Sequence, residues 1–341
     1  MMVKRSDRGK LSKGTVGVIA VCIMAALFLC AVLITNAFIP VKYFTSYCVK
    51  GNGNTQGTLR VSFIDVDFGD CILLELPDGK TALIDGGDGA YPNENRILRF
   101  LNSRNVKTVD YLICSSVKKE HCGGLAEIIK YKNVKYAYIP YCRNERITKE
   151  YHAFTSALKK SKIEYSYACA GGNIVGENYY LAFLSPADYR NPLGAYAKLN
   201  DDPTAANIDN ASAVIWLQYG STSFVFTSDI RAEGLKQIMS DYEIACKLDE
   251  DYCAAGGFSV KLELCDIVSV PAHGGADNTY APWYDLIQPE CAVVSVGKNF
   301  AGLPSKEAVS DASAYCSPYF TSESGDITIT VGDGYTVTTA R

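Results

Sequence analysis

Residues 114–124, which read CSSVKKEHCGG, decide the fold, because a short apolar strand ends there in a polar loop that leads into a helix. The apolar pattern predicts the strand at 111–114 and the helix at 124–131. In α/β folds the ends of strands are where functional sites form. Read alone, the loop is also compatible with a turn, because such residues are common in turns.

Four further segments also place polar residues at the ends of apolar runs, and their order along the chain makes the pattern specific. Each combines aspartate, glycine or histidine with a preceding strand-like run. They are FIDVDFGD at 63–70, LIDGGD at 83–88, FTSD at 226–229 and PAHGG at 271–275.

The rest of the chain alternates short strand-like runs with amphipathic stretches in both halves. Apolar runs at 71–76 and 81–84 flank Pro77-Asp78-Gly79-Lys80, and Asp-Gly is a strong hairpin signal. Helices are predicted at 93–104, 148–160, 232–240, 280–287 and 305–314, with a polar insertion at 241–259. Strands first and helices interleaved in each half predict an α/β sandwich, in which two mixed sheets pack face to face with helices outside.

The N-terminal region predicts a membrane anchor. No charge occurs between Lys13 and Lys42, and this stretch exceeds the ~20 residues that cross a bilayer. Five basic residues and one Asp precede it, so the positive-inside rule places the N-terminus in the cytoplasm. A cleaved signal peptide is the alternative, but its apolar region spans only about 7–15 residues. We therefore expect a single-pass protein of the cell membrane, with the segments 1–13 (cytoplasmic tail), 14–40 (transmembrane helix), 41–57 (linker) and 58–341 (extracytoplasmic domain).

Charge and cysteine usage exclude some classes of protein. After residues 1–13, the chain holds 28 basic and 36 acidic residues, a net charge of −8. This acidic balance makes nucleic acid an unlikely partner. The 13 cysteines are scattered without a CxxC pair, so neither a disulfide framework nor a zinc ribbon is indicated.

From about residue 59 to 339, the chain resembles the metallo-β-lactamase superfamily, and most closely its ComEC-type branch. That branch typically reads FIDVGQGD and LIDAGD where this chain has FIDVDFGD and LIDGGD, and residues 115–124 occupy its THxHxDHxGG-like loop. Ser228-Asp229 matches its GD-type aspartate, AHGG its HHGS-like segment, and 294–299 its following strand. The resemblance implies an αββα sandwich and metal-dependent hydrolysis of esters, amides or phosphodiesters.

The first metal site of that family pattern is lost in this sequence. Its two loop histidines are replaced by Ser116 and Lys118, and neither serine nor a protonated ammonium is a useful zinc ligand. A further histidine of the family has no match near Asp209-Asn210-Ala211, and Leu303 stands where another often lies. The chain has only three histidines, so none is left to replace them.

The resemblance maps the second metal site onto Glu120, His121, Asp229 and His273. A set of two histidines and carboxylates with one open position suits a single catalytic zinc ion. Asp229 or Glu120 would then orient the attacking water. Two aspartates at strand ends and one lysine are expected to support the site. These are Asp65 and Asp85, as supports of the metal loop, and Lys118, as a fixed positive charge where the missing metal would lie.

The same four residues also admit a structural interpretation. Glu120 would be a solvated carboxylate, His121 and Asp229 helix caps, and His273 a hydrogen-bonded core residue. The sequence thus leaves two functions open: an extracytoplasmic single-zinc hydrolase, or an inactive pseudoenzyme that binds or scaffolds at the cell surface. The substrate stays undetermined among small molecules, peptides and phosphodiesters. The remaining histidine, His152, is expected to be structural.

Overall fold

A computed structural model describes residues 13–38, 57–90, 93–187, 190–191 and 193–341. The chain divides into two compact units, 1–50 and 51–341. The first contains helix α1 (Lys13–Phe38), whose side chains are described at 18–31 and 33. Within the described residues no helix is both long and apolar enough to cross a membrane, so the expected span is not confirmed. Most of the expected tail and linker, at 1–12 and 39–56, lies outside the described residues.

In the second unit, short strands alternate with helices along the described chain. The strands are β1 (Leu59–Phe63), β2 (Ile72–Glu75), β3 (Thr81–Ile84), β4 (Thr108–Ile113), β5 (Asn133–Ile139), β6 (Glu164–Tyr167), β7 (Asn173–Val175), β8 (Tyr179–Ser185), β9 (Val214–Tyr219), β10 (Thr222–Phe226), β11 (Ile267–Ser269), β12 (Cys291–Val294), β13 (Tyr319–Phe320), β14 (Ile327–Val331) and β15 (Tyr335–Thr339). The helices are α2 (Asn93–Ser103), α3 (Lys119–Cys122), α4 (Leu125–Tyr131), α5 (Lys149–Ser161), α6 (Ala195–Asp201), α7 (Ala205–Asn210), α8 (Ala232–Lys247), α9 (Ala281–Ile287), α10 (Lys306–Ser313) and α11 (Thr321–Ser324).

The strands form two mixed sheets. Among the described residues, one sheet has the order β15-β14-β1-β2-β3-β4-β5-β6 and the other the order β13-β12-β11-β10-β9-β8-β7. Pairing is parallel from β3 to β6 and from β10 to β13, and antiparallel elsewhere. The hairpin expected at Pro77-Asp78-Gly79-Lys80 is present, with Glu75 opposite Thr81. Each sheet therefore has a parallel half whose strand ends meet at one edge.

Apolar cores among the described residues set the layers of the domain, and two of them involve the second sheet. The first lies between the sheets and combines Phe63 and Leu74 of one sheet with Phe183, Phe224 and other residues of the second. The second core packs the other face of the second sheet against α8, α9 and α10. This sandwich of two sheets with flanking helices confirms the expected fold class.

Some elements differ from the sequence expectation. Helix α8 continues to Lys247, into the segment expected to be a polar insertion, because Tyr242 keeps the helical spacing of buried residues set by Leu235 and Ile238. Short helices α6 and α7 and edge strand β6 were not expected. Elements of four to seven residues are too short to show a clear period.

Candidate metal centre

The candidate site lies where strand ends from both sheets meet. Asp85 follows β3 and Ser115 follows the end of β4, while Asp229 and His273 come soon after β10 and β11. In each pair the two strands are parallel neighbours, so their carboxyl ends lie at the same edge. The sandwich brings the two edges together, since Ser115 and Ser228 hydroxyls lie 2.7 Å apart.

Backbone segments around the site pack against each other so closely that several positions, among them Gly69 and Gly123, require glycine. Gly69 has φ +139°, and a Cβ there would lie 2.5 Å from the carbonyl oxygen of Glu120. A Cβ on Gly123 would lie 2.2 Å from the backbone of Asp88. Such distances are far below van der Waals contact, so only glycine allows this packing. The glycines of the quoted motifs therefore hold the loop that carries Glu120 and His121.

Three polar residues of the site adopt left-handed backbone conformations that are uncommon outside glycine. They are Asp85 with φ 62°, Ser228 with φ 49° and His273 with φ 57°. Strained conformations of this kind persist where the surrounding structure enforces them, and they concentrate at functional sites. The strand ends therefore hold these side chains in imposed positions.

His121 is completely buried and is fixed by Asp85. Its Nδ1–H donates to Oδ2 of Asp85 over 2.8 Å, and Asp85 also accepts hydrogen bonds from the backbone N–H and the hydroxyl of Ser115. Burial opposes the charged ring, but Asp229 and Asp85 outweigh it and raise the pKa of His121 well above its ordinary value. The bond at Nδ1 turns Nε2 towards Asp229, 2.9 Å from its Oδ2.

His273 is oriented from the opposite side of the site. Its Nδ1–H donates to the carbonyl oxygen of Ser295 over 2.7 Å, and Phe68 packs against its ring with centroids 4.6 Å apart. The rings of His121 and His273 stack with centroids 5.7 Å apart. Nε2 of His273 then lies 3.9 Å from Oδ1 of Asp229. Both histidines are thus held at Nδ1 and present Nε2 to the same carboxylate.

The donor atoms that converge here fit a metal ion. Nε2 of His273 and Oδ1 of Asp229 are buried and have no hydrogen-bond partner among the described residues, and the buried Nε2 of His121 lies 2.9 Å from Oδ2 of Asp229. Two overlapping groups have ligand atoms within 4.8 Å of one another: Asp70 with both histidines, and Glu120 with Asp229 and His273. The structure therefore brings together the four residues predicted as ligands, and it adds Asp70, to which the FIDVDFGD motif could have pointed. Their role as ligands stays a prediction.

Lys118 enters the site from the same loop and contacts three carboxylates. Its Nζ lies 2.8 Å from Oδ2 of Asp229, 2.7 Å from Oδ1 of Asp209 and 3.8 Å from Oε1 of Glu120. Burial disfavours its charge, but Asp229 and Asp209 outweigh burial and raise its pKa. Asp209, in the segment that lacks the further histidine of the family pattern, is thus a partner of Lys118. The unusual lysine in this loop was the sequence signal that a carboxylate partner should lie nearby.

Asp65, Ser116 and His152, the remaining residues that the sequence analysis considered, each have different surroundings. Asp65 does not share the surroundings of Asp85, because its carboxylate pairs with Arg341 at 2.7 Å and Arg96 at 3.4 Å. Asp65 thus lies in an ion-pair cluster of its own, and its expected support of the metal loop stays a prediction. Ser116 is buried beside Lys118 and accepts a hydrogen bond from the Lys118 backbone at 3.4 Å. His152 is exposed on α5, with Nε2 3.4 Å from the Glu145 carbonyl.

The fold and the site define a metallo-β-lactamase-type αββα sandwich with a candidate metal centre at its strand ends. The chain is 24% identical over 255 residues to ComE operon protein 3 of Bacillus subtilis (strain 168). The match covers 70% of this chain and 28% of that protein. Residues of the second unit thus form a ComEC-type domain of the metallo-β-lactamase superfamily. No family model matches the sequence.

Several solved structures are similar over most of the chain. The CmlA β-hydroxylase E377D mutant has a TM-score of 0.48 and 12% identity, covering 80% of this chain and 54% of its own. Tm1679, described as a metal-dependent hydrolase of the β-lactamase superfamily, has a TM-score of 0.45 and 12% identity, covering 80% and 98%. YhfI from Bacillus subtilis has a TM-score of 0.41 and 11% identity, covering 76% and 95%. Likenesses at this level add nothing to the assignment of function.

Proposed function

We propose that the domain is a metal-dependent hydrolase that binds one metal ion, expected to be zinc, through Glu120, His121, Asp229 and His273. The observation that carries the proposal is the convergence of buried ligand atoms: Nε2 of His273 and Oδ1 of Asp229 have no hydrogen-bond partner among the described residues, and Nε2 of His121 lies 2.9 Å from Oδ2 of the same aspartate. A buried polar atom without a partner costs about 1–3 kcal/mol, so two such atoms beside the His121 ring favour an ion that bonds to them.

The residues of the chain supply orientation and charge. Asp85 and the Ser295 carbonyl hold the two rings with Nε2 inward, as metal-binding histidines require. A bound zinc ion would polarise the scissile group and lower the pKa of water. The Glu120 side chain is 23% exposed, whereas those of His121 and Asp229 are at most 1% exposed. Glu120 therefore faces the open side, where it would orient the attacking water.

The reaction class and the location of the domain follow from the resemblance and the sequence. The substrate would be an ester, amide or phosphodiester, taken from small molecules or peptides rather than nucleic acid because the domain is acidic. Helix α1 would tether the protein to the cell membrane with its N-terminus in the cytoplasm. Carbonate extraction and protease protection of the full-length protein in cells test this. Release into the carbonate wash contradicts the tether, and a C-terminal domain protected from external protease contradicts the orientation.

A second candidate function is an inactive binding or scaffold domain. It is favoured by the charge balance around Asp229, whose Oδ2 already contacts the Lys118 ammonium and the His121 ring without any metal. Burial disfavours the Asp229 anion, yet His121 and Lys118 lower its pKa well below the ordinary value. A site whose charges are already balanced without a metal would also be stable in a protein that no longer binds one.

Metal content separates the two functions. We expect purified full-length protein to retain about one equivalent of zinc after gel filtration, and His121→Ala and His273→Ala to lose it. His152→Ala is the matched control, since it removes an exposed histidine distant in sequence from the strand ends. Less than ~0.1 equivalent of zinc, manganese or iron in the unsubstituted protein would exclude the hydrolase. Metal that survives both substitutions would show that the ligands are misassigned.

A further inference from the structure

The Lys118 ammonium is surrounded by carboxylates. Asp209 approaches from α7 and Asp229 from the end of β10, at 2.7 and 2.8 Å, and the side chains of these aspartates are 8% and 1% exposed. Glu120 adds a third carboxylate at 3.8 Å. The ammonium donates a hydrogen bond to Oδ2 of Asp229 and forms ion pairs with Asp209 and Glu120. Lys118 is thereby committed to the protein and is not free to bind a substrate anion.

The position of this ammonium corresponds to the lost first metal site. Lys118 itself stands at the second loop histidine of the family pattern, and Asp209 lies in the segment that has no match to the later histidine of that site. Ser116, at the first histidine position, is small and buried beside it. The residues that replace the ligands thus include both a cation and its counter-charge, which a mere loss of ligands would not require.

Lys118 also determines which oxygen of Asp229 remains available. Oδ2 accepts the hydrogen bond from Lys118 and lies 2.9 Å from Nε2 of His121. Oδ1 has no hydrogen-bond partner among the described residues and faces Nε2 of His273 at 3.9 Å. One side of the Asp229 carboxylate is thus occupied by Lys118, and the other faces His273.

We propose that the Lys118 ammonium, held by Asp209 and Asp229, permanently replaces the first metal ion, so that the centre accepts a single ion. Lys118 is then a positioning residue that presents Oδ1 of Asp229 to the remaining site. The single-ion count depends on the proposed function, but the replacement of the first ion by Lys118 does not.

Thermal unfolding in the presence of a chelator tests the ion pairs of Lys118 with Asp209 and Asp229 in the metal-free protein. Lys118→Met removes the cation that Asp209 and Asp229 share and leaves them only Arg231, 3.6 Å from Asp209, and the His121 ring, 2.9 Å from Asp229, so we expect the Tm to fall by about 5–10 °C. Lys119→Met is the matched control, because the neighbouring Lys119 side chain is 49% exposed and pairs only at 3.6 Å with Asp88. Asp209→Asn should lower the Tm in the original protein and raise it in the Lys118→Met background. Equal shifts in both backgrounds, or a Lys118→Met Tm equal to that of Lys119→Met, overturn the proposal.

Metal stoichiometry tests the replacement itself. The triple variant Ser116→His/Lys118→His/Asp209→His restores imidazoles at all three positions, and we expect it to bind one more zinc equivalent than the unsubstituted protein. An unsubstituted protein that binds two equivalents, or a folded triple variant without the extra one, overturns the replacement. If the triple variant fails to fold, the reversal of the Asp209→Asn effect decides. An unsubstituted protein without metal, combined with that reversal, rejects the hydrolase and leaves the role of Lys118 intact.

Discussion

Asp85 holds the ring of His121 from behind, with Oδ2 2.8 Å from Nδ1, and so turns Nε2 into the candidate metal centre. Both residues are buried, and Asp85 is itself fixed by the backbone and hydroxyl of Ser115. Carboxylates in this position set the tautomer and orientation of a metal-binding histidine. The relation therefore predicts how metal affinity depends on a residue that does not itself face the ion.

Asp85→Asn should weaken zinc binding about 10–100-fold, because the amide is neutral and holds the imidazole less firmly. Competition with a chromophoric chelator measures the change. Asp65→Asn is the control, since Asp65 lies in the neighbouring motif but pairs with Arg96 and Arg341, and we expect affinity to stay within about twofold. Equal losses in both variants would mean that the two aspartates act only through general stability.

Metal binding should release about one proton at neutral pH, and this proton should come from His121. Burial works against the ring's charge, but Asp229 and Asp85 raise its pKa, so the metal-free ring is protonated, whereas a ligand must be neutral. Zinc affinity should therefore increase with pH until the raised pKa is passed. Calorimetry in two buffers of different ionisation enthalpy counts the protons. An enthalpy that is independent of the buffer contradicts a protonated ligand.

The same pKa shift has a defined sign for the stability of the metal-free protein. Because the folded-state pKa of His121 is raised, its contribution is fully present below the unfolded value of about 6.5 and is lost as pH rises through the folded value. The metal-free Tm should fall over that window, and His121→Gln should remove this part of the dependence. A His121→Gln profile parallel to that of the original protein would show that other groups cause it.

The sequence predicted the parts of the site that depend on local patterns. The segments after β3, β4, β10 and β11, which carry Asp85, Ser115, Asp229 and His273, were visible because an apolar run followed by aspartate, glycine or histidine is a short-range signal. The Lys118–Asp209 pair was not, because Asp209 lies on a six-residue helix far along the chain, and no periodicity marks such a contact. Asp65 and Asp85 looked equivalent for the same reason. Their partners are set by the tertiary fold, which local sequence does not encode.

Gly123→Ala should destabilise the domain by about 2–4 kcal/mol, because the new Cβ would lie 2.2 Å from the Asp88 backbone and would separate the two loops of the site. Gly332→Ala is the matched control, since its Cβ would have no atom within 4 Å. Urea denaturation of both variants measures the free energy of unfolding. If Gly123→Ala is no less stable than Gly332→Ala, the close packing of the loops is not a constraint on this position.

Two groups of ligand atoms share His273: one contains Asp70 and His121, the other Glu120 and Asp229. Whether Asp70 or Glu120 binds the ion can be predicted from their surroundings. Burial raises the pKa of Asp70, against the opposing effect of His273 and His121, so its metal-binding anion is disfavoured. Oδ2 of Asp70 also lies 3.7 Å from Nδ1 of His121, the nitrogen that Asp85 already engages. We therefore expect Glu120→Gln, which removes a charge at constant size, to weaken zinc binding about tenfold. Asp70→Asn is the matched amide substitution, and a larger loss there than in Glu120→Gln would assign the ion to Asp70, His121 and His273 instead.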